Sequence, residues 1–304
     1  MSAQSSTAPV HSPRDFGSPV LAAAPHRVGV VTLVVNDLDK VRRFYEETIG
    51  LKPLAGPAGG VLLGVDAGPL LALRHEPGAR RRSPREAGLF HTAFLMPERA
   101  DLGAWIAHAA ARGWRIHGAS DHGVSEALYF ADPEGNGIEL YVDRPAAAWR
   151  GDGPTVRMGT EALDLDSLVE AGRGRRWSGF PAGGTVGHLH LQVGALAPAE
   201  RFYGELLGFD VSCRYPGATF FGSGGYHHQL AANIWNSRGA EPRADLATGL
   251  AGFEILAKDD ATVAAARRRL DEAGVATADA DGGGFSVTEP WGARVTVRPE
   301  RDAG

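Results

Sequence analysis

The feature that most constrains the fold is an internal repeat. The segment FYEETIG at 44–50 returns as FYGELLG at 202–208, and each copy follows a run of apolar and β-branched residues. Turn glycines later in each half also correspond after small shifts: Gly88, Gly113 and Gly135 with Gly249, Gly274 and Gly292. A pattern duplicated over this length predicts two related halves, each built from two copies of one supersecondary unit.

Each copy has the pattern of a strand, a helix and three further strands. We call the copies modules 1 to 4; they cover 27–74, 88–142, 187–234 and 249–299. Short apolar runs predict the strands, and apolar residues at helical spacing that end at a glycine predict the helices. Two such modules side by side form an open, incomplete barrel with a concave interior. The predicted fold class is therefore α+β, with four βαβββ modules in two tandem domains.

The domain boundaries are predicted where the periodic pattern stops. Residues 1–25 are rich in Ser, Ala and Pro and lack periodicity, so they are expected to form a flexible arm. Residues 26–145 form the first predicted domain and 185–300 the second. Between them, 146–184 carries no strand pattern and one candidate helix at 161–170. This segment is expected to be a linker that packs on the surface.

Composition excludes several classes of protein. The 304 residues are 43% hydrophobic and 22% charged, and no apolar run approaches the roughly 20 residues that span a bilayer. The one cysteine, Cys213, excludes an intramolecular disulfide and a cysteine-based zinc cluster. The N-terminus lacks a secretory pattern, so a cytoplasmic location is expected. A net charge of −5 with both signs interspersed argues against nucleic acid or a membrane surface as a partner.

Four segments carry a resemblance to a known family: LFHTAFLMPER, DPEGNGIELYVDRP, VGHLHLQV and GGYHHQLAANIW. Together with the repeated FY helix they resemble the vicinal oxygen chelate superfamily, which includes glyoxalase I, bleomycin-resistance proteins and type I extradiol dioxygenases. The nearer resemblance is to the two-domain catechol 2,3-dioxygenases of bacilli and their relatives. It covers about residues 27–299, and the DPEGNGIELY and YHH segments are its most specific parts.

The resemblance implies a mononuclear metal site with ligands on the first and last strands of paired modules. Modules 1 and 4 carry Val30, Gly252 and Thr296 at those positions, whereas modules 2 and 3 supply one complete set: His91, Glu139 and His188. Two imidazoles and one carboxylate form the facial triad of non-haem Fe(II) oxygenases. His190 shares a strand face with His188 and is an alternative ligand. Better-known two-domain extradiol enzymes take all three ligands from the C-terminal half, so here the site is expected between modules 2 and 3.

The resemblance also implies acid–base and substrate-binding residues. Ring cleavage needs a proton donor near the metal, and the position within the HHQLA segment assigns this role to His228. Tyr129 precedes Glu139 across the DPEGNG turn and matches the family's active-site tyrosine, while His122 matches a second pocket histidine. The remaining candidates for substrate contact are His227, Asn233 and Trp235, although strand alternation favours a position of His227 on the other face.

The predicted function is an Fe(II)-dependent extradiol dioxygenase, with Mn(II) as the alternative metal. It would insert both atoms of O2 into a catechol and give a 2-hydroxymuconic semialdehyde-type product. Two alternatives remain open: a glyoxalase-type metal-dependent isomerase or transferase, in which Gln229 imitates a fourth ligand, and a metal-free drug-binding resistance protein. The expected partners are a small-molecule catechol and O2, and exposed sheet edges favour a homo-oligomer.

Overall fold

The computed structural model of the protein describes residues 17–56, 59–149, 151, 155–243 and 246–301. Within these residues the strands are β1 (His26–Val35), β2 (Lys52–Leu54), β3 (Gly60–Val65), β4 (Gly68–His75), β5 (Gly88–Leu95), β6 (Gly118–Asp121), β7 (Ser125–Ala131), β8 (Gly137–Asp143), β9 (Glu161–Ala162), β10 (Thr185–Gln192), β11 (Asp210–Tyr215), β12 (Ala218–Gly222), β13 (Leu230–Asn233), β14 (Gly249–Ala257), β15 (Ala278–Ala280), β16 (Gly284–Thr288) and β17 (Arg294–Pro299). The α-helices are α1 (Pro19–Ala23), α2 (Leu38–Phe44), α3 (Arg99–Ala111), α4 (Leu165–Ala171), α5 (Leu196–Ala199) and α6 (Asp260–Glu272). Two π-helical segments (Tyr45–Ile49 and Glu200–Leu206) and two 3₁₀ turns (Ala146–Ala148 and Asp281–Gly283) complete the set.

The strands form two curled sheets, and each sheet combines modules from both halves of the chain. Modules 2 and 3 share a nine-stranded sheet in the order β11-β12-β13-β10-β5-β8-β7-β6-β9. Modules 1 and 4 share an eight-stranded sheet in the order β15-β16-β17-β14-β1-β4-β3-β2. In both, the first strands of the paired modules join the modules antiparallel, β5 with β10 and β1 with β14. The predicted α+β class with paired βαβββ modules is confirmed.

The two sheets pack through their central strands around a large hydrophobic core, and a smaller apolar cluster lies around Leu21 and Tyr226. Strand β10 is buried along its whole length, and β1 contacts it from the other sheet. Strand β1 is buried along most of its length and carries a nearly continuous apolar run, VGVVTLVV at 28–35, whereas β10 alternates apolar residues with His188, His190 and Gln192. Trp105 of α3 is the largest fully buried side chain. Its indole nitrogen donates to the Thr48 carbonyl at 2.8 Å, so the two modules of the N-terminal half are also joined by a buried hydrogen bond.

The helix after the first strand differs from the sequence prediction in modules 1 and 3. The apolar spacing predicts one α-helix that ends at Gly50, and a second that ends before Gly208. In both modules the second half is π-helical instead, over Tyr45–Ile49 and Glu200–Leu206. The sequence does not predict the switch from α-helix to π-helix, because the spacing of apolar residues is similar in a wider π-helical turn and in an α-helical turn.

The N-terminal arm and the linker also differ from expectation. Residues 1–16 of the predicted arm lie outside the described residues. The part that follows is not an extended arm: Pro19–Ala23 is helical, and Leu21 is buried against β5 and Tyr226. A leucine that is 1% exposed removes enough apolar surface from water to hold this short helix in place.

The predicted linker is integrated with module 2. Its first strand residues, Glu161–Ala162, pair with β6, and its helix α4 begins at Leu165 and packs on α3. Two glycines permit the close approach of these helices, because a Cβ at Gly103 would overlap the Leu168 carbonyl oxygen and a Cβ at Gly172 would overlap α3. In the described part of the chain, no helix is long and apolar enough to cross a bilayer.

Candidate active site

Three neighbouring strands of the nine-stranded sheet bring the predicted ligands together. Strand β5 lies between β8 and β10, and Ala93 is in register with Glu139 on one side and His188 on the other. His91 precedes Ala93 by two residues, so its side chain lies on the same face. The methyl group at position 93 leaves room between the three larger side chains. Sheet register alone therefore places His91, Glu139 and His188 around one point.

The distances between these side chains fit a metal site. The ligand atoms all lie within 4.8 Å of one another, and the Nε2 atoms of His91 and His188 are 2.9 and 3.2 Å from Glu139 Oε2. Two atoms that each bind one ion at about 2.1 Å, at right angles, lie about 3.0 Å apart. His91 Nε2 is buried and, despite its short distance to Glu139, makes no hydrogen bond of acceptable geometry with any described residue. An unpartnered buried nitrogen beside a carboxylate is explained by a cation, so the residues fit the predicted metal.

Burial keeps the His188 imidazole neutral, as metal ligation requires. It lowers the pKa of His188 to about 4. Burial would raise the pKa of the Glu139 carboxyl, but the adjacent His188 and His91 hold that pKa well below its usual range. Glu139 is therefore a carboxylate at neutral pH, and the site carries one negative charge towards a divalent ion.

The three residues lie at the base of a cavity of about 440 Å³. Its walls are mainly apolar and aromatic: Phe90, Phe130, Ile138, Met158, Tyr215, Phe220 and Trp235. Polar side chains also line the cavity, among them His122, Tyr129 and His228. A cavity with apolar and aromatic walls that also holds the predicted ligands suits an aromatic ring whose oxygen substituents point towards the metal position.

Tyr129 and His122 form a hydrogen-bonded pair in this cavity. Tyr129 faces Glu139 across the β7–β8 hairpin, and its hydroxyl lies 2.7 Å from His122 Nε2. The other ring nitrogen of His122 lies 2.7 Å from the Gly159 carbonyl oxygen, which can only accept a hydrogen bond. His122 Nδ1 is therefore the protonated nitrogen, and the Tyr129 hydroxyl donates to Nε2. Burial and the charge of Glu139 raise the pKa of Tyr129 well above its ordinary value, so it stays a phenol.

The two adjacent histidines point to different environments. His228 lines the cavity, and its ring centroid lies 4.2 Å from that of His188. His227 is fully buried and lies outside the cavity wall, with its Nε2 atom 2.9 Å from Asp143 Oδ1. The expected substrate contact of His227 is therefore not supported by its position.

His190, Asn233 and Trp235 form a second group beside the metal ligands. Asn233 is fully buried and lies behind His190, with Nδ2 3.0 Å from His190 Nε2, and it does not line the cavity. Its predicted substrate contact is thus not supported, because His190 stands between it and the cavity. Trp235 lines the cavity mouth and is 46% exposed, and its indole nitrogen donates to the Pro216 carbonyl at 2.9 Å.

Two features of the pocket were missed from the sequence. Residues 158–160 of the predicted surface linker line the cavity, because this segment is hydrogen-bonded to β11 through Val156 and to His122 through Gly159. Non-local contacts of this kind leave no local pattern. Asp143, the partner of His227, did have a signal: it follows Glu139 by four residues on β8 and so shares its strand face.

Comparison with known proteins agrees with this fold. A family model described as the glyoxalase/bleomycin resistance protein/dioxygenase superfamily matches residues 27–140 and 185–297. A curated catechol-2,3-dioxygenase of Bacillus subtilis (strain 168) is 36% identical over 269 residues, which is 86% of this chain and 93% of the relative. Biphenyl-2,3-diol 1,2-dioxygenase 3 of Rhodococcus globerulus is 31% identical over 120 residues, 38% of this chain and 63% of the relative. Among solved structures, a putative dioxygenase from Bacillus subtilis superposes with a TM-score of 0.62 at 13% identity, covering 91% of this chain and 86% of the other.

Proposed function

The chain belongs to the glyoxalase/bleomycin resistance protein/dioxygenase superfamily, and we propose that it is an extradiol dioxygenase that cleaves a catechol ring with O2. The observation that carries this proposal is the buried group His91, Glu139 and His188 at the base of an aromatic-walled cavity. The likeness to a catechol-2,3-dioxygenase over most of the chain supports it. The proposed product is a 2-hydroxymuconic semialdehyde-type compound, and the proposed location is the cytoplasm.

The proposed metal is Fe(II), held by His91, Glu139 and His188, with Mn(II) as the alternative. A two-imidazole, one-carboxylate set leaves open coordination positions, through which a bound divalent metal would supply a binding point for both catechol oxygens and for O2. His190 is not required in this set, because its Nε2 atom is already engaged by the Asn233 amide.

The protein's own side chains orient the substrate and move protons. Since the Tyr129 hydroxyl donates to His122, its oxygen is left to accept a hydrogen bond from a catechol hydroxyl. His228 lies on the opposite wall beside His188, where it can exchange a proton with substrate oxygens near the metal position. Phe90, Phe220 and Trp235 would flank the ring and exclude water from it.

The competing functions receive less support from these residues. A glyoxalase-type site with Gln229 as a fourth ligand would need that side chain in the cavity. Gln229 instead lies outside the cavity wall and donates to the Ser223 carbonyl at 3.3 Å. A metal-free binding protein would have no use for three buried ligand atoms within 4.8 Å.

The test is an anaerobic loading of the protein with Fe(II) or Mn(II), followed by catechol in air-saturated buffer. A yellow semialdehyde that forms together with O2 uptake supports the proposal, and the more active metal identifies the cofactor. Glu139→Gln is the matched control, because it keeps the size of the side chain but removes the ligand charge. A protein that binds either metal fully yet consumes no O2 with any catechol would contradict the proposed function.

A further inference from the structure

A buried polar cluster lies directly behind His228. Asp143 ends β8, and its Oδ1 atom accepts hydrogen bonds from the Tyr226 hydroxyl at 3.1 Å and from His227 Nε2 at 2.9 Å. His227 Nδ1 in turn lies 2.8 Å from His228 Nδ1. Asp143, His227 and His228 therefore form a continuous hydrogen-bonded row from the interior to the cavity.

The direction of each hydrogen bond follows from the chemistry of the partners. A carboxylate can only accept, so His227 Nε2 must carry the hydrogen that Asp143 receives. A neutral His227 then has a bare Nδ1 atom, which can only accept from His228. His228 must therefore carry its hydrogen on Nδ1, which leaves the lone pair on its Nε2 atom, the ring nitrogen not used by this row.

The cluster is costly for the fold, which argues for a role beyond stability. His227 is fully buried between the rings of Tyr226 and Trp149, whose centroids lie 4.1 and 5.0 Å away. The second oxygen of Asp143 is buried and has no hydrogen-bond partner among the described residues. An incompletely paired buried carboxylate destabilises a folded protein, and an apolar pair would fill the same space without this penalty.

We propose that Asp143 and His227 are positioning residues that fix His228 in its Nδ1–H tautomer, so that its Nε2 atom meets the substrate as a hydrogen-bond acceptor. This inference rests on the proposed function, in which a catechol hydroxyl lies beside His228. In this arrangement His227 does not touch the substrate, but it determines which ring nitrogen of His228 carries no hydrogen. Tyr141 supports the row, because its hydroxyl lies 2.8 Å from that of Tyr226.

The kinetic test uses Asp143→Asn in the Fe(II)-loaded protein. The amide of an asparagine at position 143 can donate a hydrogen bond to His227 Nε2. His227 can then carry its hydrogen on Nδ1 and donate it to His228 Nδ1, which places the hydrogen of His228 on Nε2. We expect kcat to fall roughly 10- to 1000-fold, since misorienting a general base removes much of its contribution. KM and bound metal are expected to stay within about threefold of the wild type, because neither depends on the tautomer. His227→Gln is expected to reproduce the kcat effect.

The matched control is Glu289→Gln, which alters a buried carboxylate in the turn between β16 and β17, away from the Asp143–His227–His228 row. Glu289 also has one oxygen that lacks a partner within the described structure, so it reproduces the burial change without touching the row. If Asp143→Asn and His227→Gln both retain the kcat of the Glu289→Gln control, the inference is overturned.

The tautomer is also measurable without turnover. Nitrogen NMR spectra of histidine-labelled, Zn(II)-loaded full-length protein distinguish protonated from bare ring nitrogens, and the His228→Gln spectrum identifies the His228 signals. We expect the wild type to show a protonated Nδ1 and a bare Nε2 at His228, and Asp143→Asn to lose this preference. A protonated Nε2 in the wild type overturns the inference. If the wild type cleaves no catechol, the proposed function fails while the spectra still decide the tautomer.

Discussion

His26 provides a quantitative test of the fold, because it is a buried histidine without any hydrogen-bond partner for its ring. The side chain is 5% exposed, packs 4.7 Å from the Phe209 ring, and has both ring nitrogens unpartnered among the described residues. Burial, reinforced by the charge of Arg269, lowers the pKa of His26 from 6.5 to about 4, while Asp259 opposes the change. The unfolded chain binds a proton at this position below pH 6.5, whereas the folded protein does so only below about pH 4.

The consequence is a loss of stability as the pH falls through this interval, because the unfolded state binds more protons. A pKa difference of about 2.5 units corresponds to about 3 kcal/mol of unfolding free energy at 1.36 kcal/mol per unit. His26→Phe keeps the ring contact and the backbone hydrogen bond to Ser223, but removes the titrating group. The variant is expected to be at least as stable as the wild type at pH 7, since it replaces two unpartnered buried nitrogens.

The measurement is the free energy of urea-induced unfolding of both metal-free proteins at several pH values from 7 to 4. The other buried histidines are common to both chains and cancel in the difference. The stability advantage of His26→Phe is expected to grow by about 3 kcal/mol as the pH falls from 7 to 4. Curves that stay parallel over this range would contradict a lowered pKa of His26, because they would mean that this residue binds protons equally in both states.

Four further predictions concern the site. Replacement of His91, Glu139 or His188 by alanine should abolish stoichiometric metal binding, measured by elemental analysis. His190→Ala should retain it. Tyr129→Phe should keep the metal and lower turnover by roughly 5- to 150-fold, since a buried polar group left without its hydrogen-bond partner costs about 1–3 kcal/mol; wild-type kinetics across several catechols would remove Tyr129 from the mechanism. His228→Gln should bind metal and catechol normally but turn over roughly 10²–10⁴-fold more slowly in steady-state assays, as expected for loss of a general acid–base group; an unchanged rate would exclude it from proton transfer. Fragments 1–150 and 180–304, expressed separately, should each bind Fe(II) poorly in dialysis, because β5 and β10 contribute ligands from different halves; full affinity in the second fragment would place the site within it.

The proposed metal ligands were accessible from sequence because they obey local rules. His91 and His188 lie on first strands with clear apolar patterns, and Glu139 lies on a strand that follows an unmistakable Asp-Pro and Gly-Asn-Gly turn. Comparison of the equivalent first-strand and last-strand positions in the four modules then left one complete set of three possible metal-binding side chains. The structure brings these three together through sheet register, which is itself fixed by strand alternation.

The rest of the site depends on contacts that have no local signature. Met158 lines the cavity because its segment, which lies between β8 and β9 in the sequence, is hydrogen-bonded to β11 and to His122. Helix α4, which follows this segment, is held by contacts of Gly172 with α3. The role of His227 depends on Asp143, which is distant in sequence and meets it only because β8 and the bend before β13 converge behind His188. Strand alternation predicted that only one histidine of the pair faces the cavity, but it carries no information on what the other one meets.

The central claim is that the His91, Glu139 and His188 site directs both atoms of O2 into a catechol. It is tested most directly by mass spectrometry of the product formed by the Fe(II)-loaded protein under heavy-isotope dioxygen. We expect a ring-opened product that contains two heavy oxygen atoms, formed by the wild type and not by Glu139→Gln. A product without heavy oxygen, or equal labelling by the Glu139→Gln variant, would contradict it.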